Sequence, residues 1–158
     1  MSSHPIRVAV ALGSNVGDRA AHLDFAVAGL ARYLASLTVS RWFETEPIAT
    51  GSSGASLFLN GAATGETTLS PRALLDALLA LERARGRERP FPGAPRTLDL
   101  DLVLFGDVVV NEPGLIVPHP RFRERHFVLE PLAAIAPEMI DPVTGLGVRQ
   151  LLSALNRT

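Results

Sequence analysis

Leucine stands at every second position from Leu98 to Leu104, and Thr97, Asp99, Asp101, Val103 and Phe105 occupy the other parity. A period of two is the signature of a strand, so the stretch reads as one leucine face and one face carrying two carboxylates. Asp99 and Asp101 then point the same way, with backbones about 6–7 Å apart along the strand. Two acids side by side repel, and an apolar strand has no need of them. Such a pair suits a hard cation such as Mg²⁺, which takes oxygen ligands. The same pattern also fits an edge strand with one solvated face.

The flanks add charge of the opposite sign. Arg83, Arg85, Arg87, Arg89 and Arg96 precede the strand; Arg121, Arg123 and Arg125 follow it, close to His119. Guanidinium groups fork onto phosphate oxygens, so carboxylates bracketed by arginines point to a nucleotide polyphosphate with its metal.

The 158 residues suffice for one domain with a proper core, and a single domain spanning 1–158 is expected, with residues 1–5 disordered. Net charge is −1, which offers no general attraction to nucleic acid or to an anionic membrane. All fifteen basic residues are arginine and there is no cysteine, which excludes lysine-based catalysis, disulfides and zinc–thiolate sites. The N-terminus lacks a signal pattern, and no apolar run approaches the ~18 residues of a membrane span. A cytoplasmic, monomeric protein is expected.

Taken in order, 6–12 reads as a buried strand, 13–18 as a glycine-containing turn, and 18–35 as a helix with Leu23, Val27, Leu30 and Leu34 at helical spacing. The turn is not a P-loop, because the Gly-Lys-Ser/Thr ending is missing. Strands are expected at 37–45 and 57–64, separated by a loop of small residues, with Phe58, Asn60 and Ala62 on one face. Ser70-Pro71 opens a helix to about Arg85, with serine as N-cap and proline in the first turn. Glu82 lies at its C-terminal end, where the helix dipole disfavours a carboxylate; either a functional role or a surface pair with Arg85 would account for it. A proline-rich loop, 86–95, leads to the strand at 97–105 and a short strand at 108–110. Beyond a Pro118-His119-Pro120 corner, short helices are expected at 130–136 and 148–155. The order is the βαββαβ of a ferredoxin-like plait, an α+β fold with a mainly antiparallel sheet, both main helices on one face and extra C-terminal elements.

Several stretches together resemble the 6-hydroxymethyl-7,8-dihydropterin pyrophosphokinase family over nearly the whole chain. They are Ala11-Leu12-Gly13-Ser14-Asn15-Val16-Gly17-Asp18, Phe58-Leu59-Asn60, Glu82 with Gly86-Arg87, Pro95-Arg96-Thr97-Leu98-Asp99-Leu100-Asp101, Val117-Pro118-His119-Pro120-Arg121, and Arg125 with Phe127-Val128-Leu129. The resemblance implies transfer of pyrophosphate from ATP to the pterin hydroxymethyl group, with release of AMP, in folate biosynthesis. It implies two Mg²⁺ ions on Asp99 and Asp101, with Arg87 and Arg96 in the catalytic set. The pterin would be held by Gly13, Thr45, Ile48, Asn60 and the rings of Phe58 and Phe127. ATP would be held by Glu82, Arg87, Arg89, Arg96, His119 and Arg125, with the backbone of Leu102 near adenine. Read without the resemblance, Phe58 and Phe127 are ordinary core residues. Pro92, Gly93 and Ala94 stand where the family usually has arginine, an aromatic and a glycine.

Two other readings stay open at the level of sequence. One is an RNA-binding ferredoxin-like module, against which the acidic strand face speaks, because such modules present aromatics and positive charge there. The other is a family member that binds its ligands without turnover.

Overall fold

The computed structural model describes residues 4–45, 57–86 and 97–157. Ile48, Arg87, Arg89 and Arg96, all expected in the site, lie outside the described residues.

The chain begins with β1 (Ile6–Ser14), which is buried from Val8 onward. Its sequence explains why. Val8, Val10 and Leu12 fill one face and the smaller Ala9, Ala11 and Gly13 the other, so β1 can be covered on both sides. It lies between β4 (Phe58–Thr67) and β5 (Asp99–Phe105), antiparallel to both. The far edge of β4 pairs with β2 (Ala35–Val39) and β3 (Phe43–Thr45), giving the sheet order β2-β4-β1-β5. With α1 (Arg19–Leu30) and α2 (Pro71–Ala84) between the strands, this is the ferredoxin-like βαββαβ plait.

The expected strand 37–45 is broken in two. Ser40 N donates to Ala62 O at 2.8 Å, and Ser40 Oγ accepts from Ala62 N at 2.9 Å, so a side chain takes over the ladder there. Trp42 then lies on Gly61, where a Cβ would come within 2.4 Å of the indole ring. The expected helix 18–35 ends at Leu30; Leu34 is buried from the turn that follows. Ser70 caps α2 through Ala73 N as expected, and Asp18 caps α1 through Ala21 N, which the sequence reading did not single out.

α1 and α2 bury Leu23, Leu30, Leu74, Leu78 and Leu81 against Val8, Val10, Leu12, Leu100 and Leu102. The opposite sheet face carries a second layer, built by the two C-terminal helices that the sequence predicted without placing them on the sheet. It consists of α3 (His126–Ile135) and α4 (Val148–Asn156), packed on Ala9, Ala11, Ala62 and Val103. α3 starts four residues before the expected 130. Pro131 sits inside it and forfeits one backbone hydrogen bond, while burial of Val128, Leu129 and Leu132 holds the turn together.

The hairpin of β6 (Val110–Glu112) and β7 (Leu115–Val117) replaces the single strand expected at 108–110. The alternation of β5 also ends sooner than expected. The register shifts opposite Ala9 and Val10, so Val103 and Leu104 both join the α3/α4 side and Phe105 joins the leucine face. The bulge adds one residue to β5 and reverses parity beyond it. Asp99 and Asp101 lie before the bulge and keep the expected parity.

Candidate active site

The sheet brings the two expected halves of the site together in one row. Gly13 pairs with Asn60 of β4 on one side and with Asp99 of β5 on the other. Ala11 pairs with Ala62 and Asp101 in the next row. Residues opposite one another across strands share a face, so Asn60, Asp99 and Asp101 share one. α3 and α4 cover the far part of that face over Ala9 and Val103.

Asn60 is 5% exposed. Its Nδ2 donates to Thr45 Oγ1 at 2.5 Å. Its Oδ1 leans over Gly13, where a Cβ would fall 2.9 Å away. Phe58 pairs with Thr45 in the row beyond and is half-buried. Gly13, Thr45, Phe58 and Asn60, all expected to hold the pterin, are therefore contiguous. Phe127 projects from the first turn of α3 and is partly buried, with the Arg125 guanidinium 5.4 Å from its ring centre.

Asp99 and Asp101 are both half-buried on β5. Glu82 reaches that strand from α2. Its carboxylate is buried, and Oε2 accepts from Leu100 N at 2.7 Å, between the two aspartates. The surface pair with Arg85 does not form; Arg85 donates its Nε–H to His22 Nδ1 at 2.8 Å instead.

Beside the acids an open cavity of about 240 Å³ is lined mostly by apolar residues, among them Leu75, Leu100, Leu102, Leu115 and Ile116, together with Asp101 and His119. His119 follows a cis Val117–Pro118 bond and is fixed by its N–H to Val103 O at 3.0 Å. Arg121 N donates to His119 Nδ1 at 3.1 Å, so Nε2 is the donor of the neutral ring. Burial, then the nearby Arg125 and also Arg121, lower the His119 pKa, opposed by Asp99. His119, Arg125, Arg121 and Asp99 thus share one electrostatic neighbourhood.

Residues 9–137 match the family model described as 7,8-dihydro-6-hydroxymethylpterin-pyrophosphokinase (HPPK). The chain belongs to this family. A 2-amino-4-hydroxy-6-hydroxymethyldihydropteridine pyrophosphokinase of Synechocystis is 39% identical over 152 residues, covering 94% of this chain and 76% of the relative. The Pseudomonas aeruginosa enzyme of the same name is 40% identical over 150 residues, 94% of this chain and 91% of its own. That of Bacillus subtilis is 43% identical over 137 residues, 85% and 81%. Among solved structures, Plasmodium falciparum HPPK-DHPS superposes with a TM-score of 0.73 at 15% identity, over 96% of this chain and 45% of that one. At that identity the likeness bears on the fold, and this chain spans less than half of that one.

Every described residue expected in the HPPK site, from Gly13 to Phe127, falls inside the matched range. Two polar features escaped the sequence reading. Arg19 donates to Leu57 O at 2.7 Å and to Glu44 Oε2 at 2.9 Å, tying together the two sides of the segment 46–56. Arg123 pairs with the buried Asp141, which lies beyond the HPPK match. Neither leaves a local signal, since the partners stand 38 and 18 residues apart. Among the described residues no group of three or more His, Asp or Glu converges as a protein-only metal cage. Two carboxylates that leave coordination positions to phosphate oxygens and water are the donor set Mg²⁺ normally takes beside a nucleotide, so Asp99 and Asp101 fit.

Proposed function

We propose that this chain transfers the β,γ-diphosphoryl group of ATP to the hydroxymethyl oxygen of 6-hydroxymethyl-7,8-dihydropterin. The acceptor oxygen bonds to the β-phosphorus, the α,β-bridging P–O bond breaks, AMP leaves with the bridging oxygen, and the hydroxyl proton is lost to solvent. One observation carries this reading. The Asn60–Gly13–Asp99 row puts a hydrogen-bonding group for a flat heterocycle and a carboxylate for the phosphate end on one sheet face.

Asn60 and Thr45 bind the pterin edge, Gly13 lets the ring approach the backbone, and Phe58 and Phe127 flank it, with Ile48 completing the set. On the other side the cavity between Leu75, Leu102 and Ile116 receives adenine, and His119 and Arg125 face the phosphates with Arg87, Arg89 and Arg96. Glu82 belongs to this half through the strand it braces. Asp99 and Asp101 would hold two Mg²⁺ ions. Bound there, the ions supply positive charge that neutralises the polyphosphate. The protein orients the two substrates in line, excludes water and offers guanidinium charge, which suffices for phosphoryl-type transfer.

The chain works as a cytoplasmic monomer on this reading: ATP is a substrate, and Gly13, Asn60, Asp99, Asp101 and His119 all come from one chain. The test is AMP formation from ATP and hydroxymethyldihydropterin with Mg²⁺. Absence of AMP while both substrates bind in calorimetry would replace this reading with a binding protein that does not turn over.

A further inference from the structure

Asp141 is fully buried and lies outside the proposed site, and its two oxygens accept four hydrogen bonds. Oδ2 accepts from Arg123 Nε at 2.5 Å and from Thr144 Oγ1 at 2.7 Å. Oδ1 accepts from Arg123 Nη2 at 3.0 Å and from Val143 N at 3.1 Å. The loop that carries it is closed on itself: Asp141 N donates to Leu146 O, Gly145 N to Asp141 O, and Val148 N to Met139 O, all within 3.0 Å. α4 follows at once and packs on α3. Asp141 therefore sits on a rigid support.

Arg123 belongs to the arginine-bearing segment on the other side of the pair. It lies in a 3-10 turn, Phe122–Glu124, whose Phe122 is fully buried and whose Phe122 O accepts from Arg125 N at 3.3 Å. Arg125 is at once the C-cap of that turn and the N-cap of α3. Its backbone direction is thus set by the turn, and the turn is held by a bidentate guanidinium–carboxylate fork, which constrains orientation as well as distance. Holding the loop alone would not need an ion pair. Val143 N and Thr144 Oγ1 already close it around Asp141, and apolar residues could fill the remaining space at no loss of stability.

We propose that Asp141, acting through Arg123, is a positioning residue that fixes Arg125 for ATP. The proposal rests on the reading of Arg125 as an ATP contact. Neither member of the pair touches substrate; the pair orients the turn from which Arg125 projects.

The test measures binding of α,β-methylene-ATP with Mg²⁺, and separately of the pterin, by calorimetry below the melting temperature of each variant. Asp141→Asn should weaken the ATP analogue about three- to tenfold, with pterin affinity changed less than about twofold. Arg123→Lys keeps the charge but not the fork, and should act in the same sense and less strongly; it carries the test if Asp141→Asn does not fold. In an Arg125→Ala background either change should add less than about twofold, because the group they position is gone. A loss that multiplies undiminished in that background, or equal losses for both ligands, would overturn the proposal and leave the pair a structural tie. If Arg125→Ala alone leaves analogue binding unchanged, the reading of Arg125 itself fails, and that result is separate from the others.

Discussion

The Asn60 side chain occupies the space that a side chain at Gly13 would need: a Cβ on Gly13 would fall 2.9 Å from Asn60 Oδ1. Gly13→Ala should push the buried amide aside and strain its bond to Thr45. The cost to stability should be about 1 kcal/mol, the worth of one hydrogen bond, while pterin affinity falls about tenfold and ATP affinity holds. Urea unfolding and separate titrations of the two ligands check this.

Glu82 covers an N–H on the outer edge of β5, at Leu100. Glu82→Ala removes that acceptor from a buried donor, which should destabilise by about 1–3 kcal/mol and lower turnover through the strand that bears Asp99 and Asp101. Glu82→Gln keeps an oxygen acceptor and should retain most of the stability. Equal melting temperatures for wild type and Glu82→Ala would show that the contact does not matter.

Asp101→Asn should nearly abolish AMP formation, because lost charge stabilisation is worth several kcal/mol in the transition state. The circular dichroism spectrum should not change. Near-normal activity at low Mg²⁺ would remove Asp101 from the metal site.

Phe127→Ala should weaken pterin binding, with stacking alone contributing about 0.5–1.5 kcal/mol beyond the buried area. The structure adds a smaller second effect. Arg125 lies over the same ring, so ATP binding should lose about 0.5–1 kcal/mol as that cation–π contact goes. Parallel titrations of the two ligands separate these effects.

Asp141 gives the pH dependence of stability. Burial would raise its carboxyl, but Arg123, Thr144 and Val143 N–H together hold it below its ordinary 3.8. A depressed acid binds fewer protons when folded, so its contribution is complete above 3.8 and is lost as pH falls through the lower folded value. Asp141→Asn should therefore cost about 3 kcal/mol at pH 7, the low end for a buried pair, because the Arg123 side chain is 27% exposed. The gap to wild type should close in strong acid. Unfolding curves at pH 7 and near pH 2 test the crossover.

What was readable in advance follows the range of each signal. Same-face Asp99 and Asp101 could be read because period two is a property of adjacent residues, and the cap at Ser70 because it acts within one turn. The bulge at Val103 could not, since it depends on how β5 meets Ala9 and Val10. Trp42 on Gly61 broke a strand that Val39, Arg41, Phe43 and Thr45 alone would have continued. Pro131 concealed the start of α3, because burial outweighed a rule about proline. The contacts of Glu82 and Asp141 join residues 18 apart with nothing local to announce them.

β1 is hydrogen-bonded to both β4 and β5. Two ladder steps of about 4.8 Å set the backbone span from Asn60 to Asp99 at roughly 9.6 Å. That span is a ruler made of peptide groups. On the proposed reading, side-chain changes along it alter how tightly each substrate is gripped and leave the reach from heterocycle to phosphate the same. On that same reading, an acceptor whose hydroxyl hung one methylene further from its ring would overshoot the β-phosphorus.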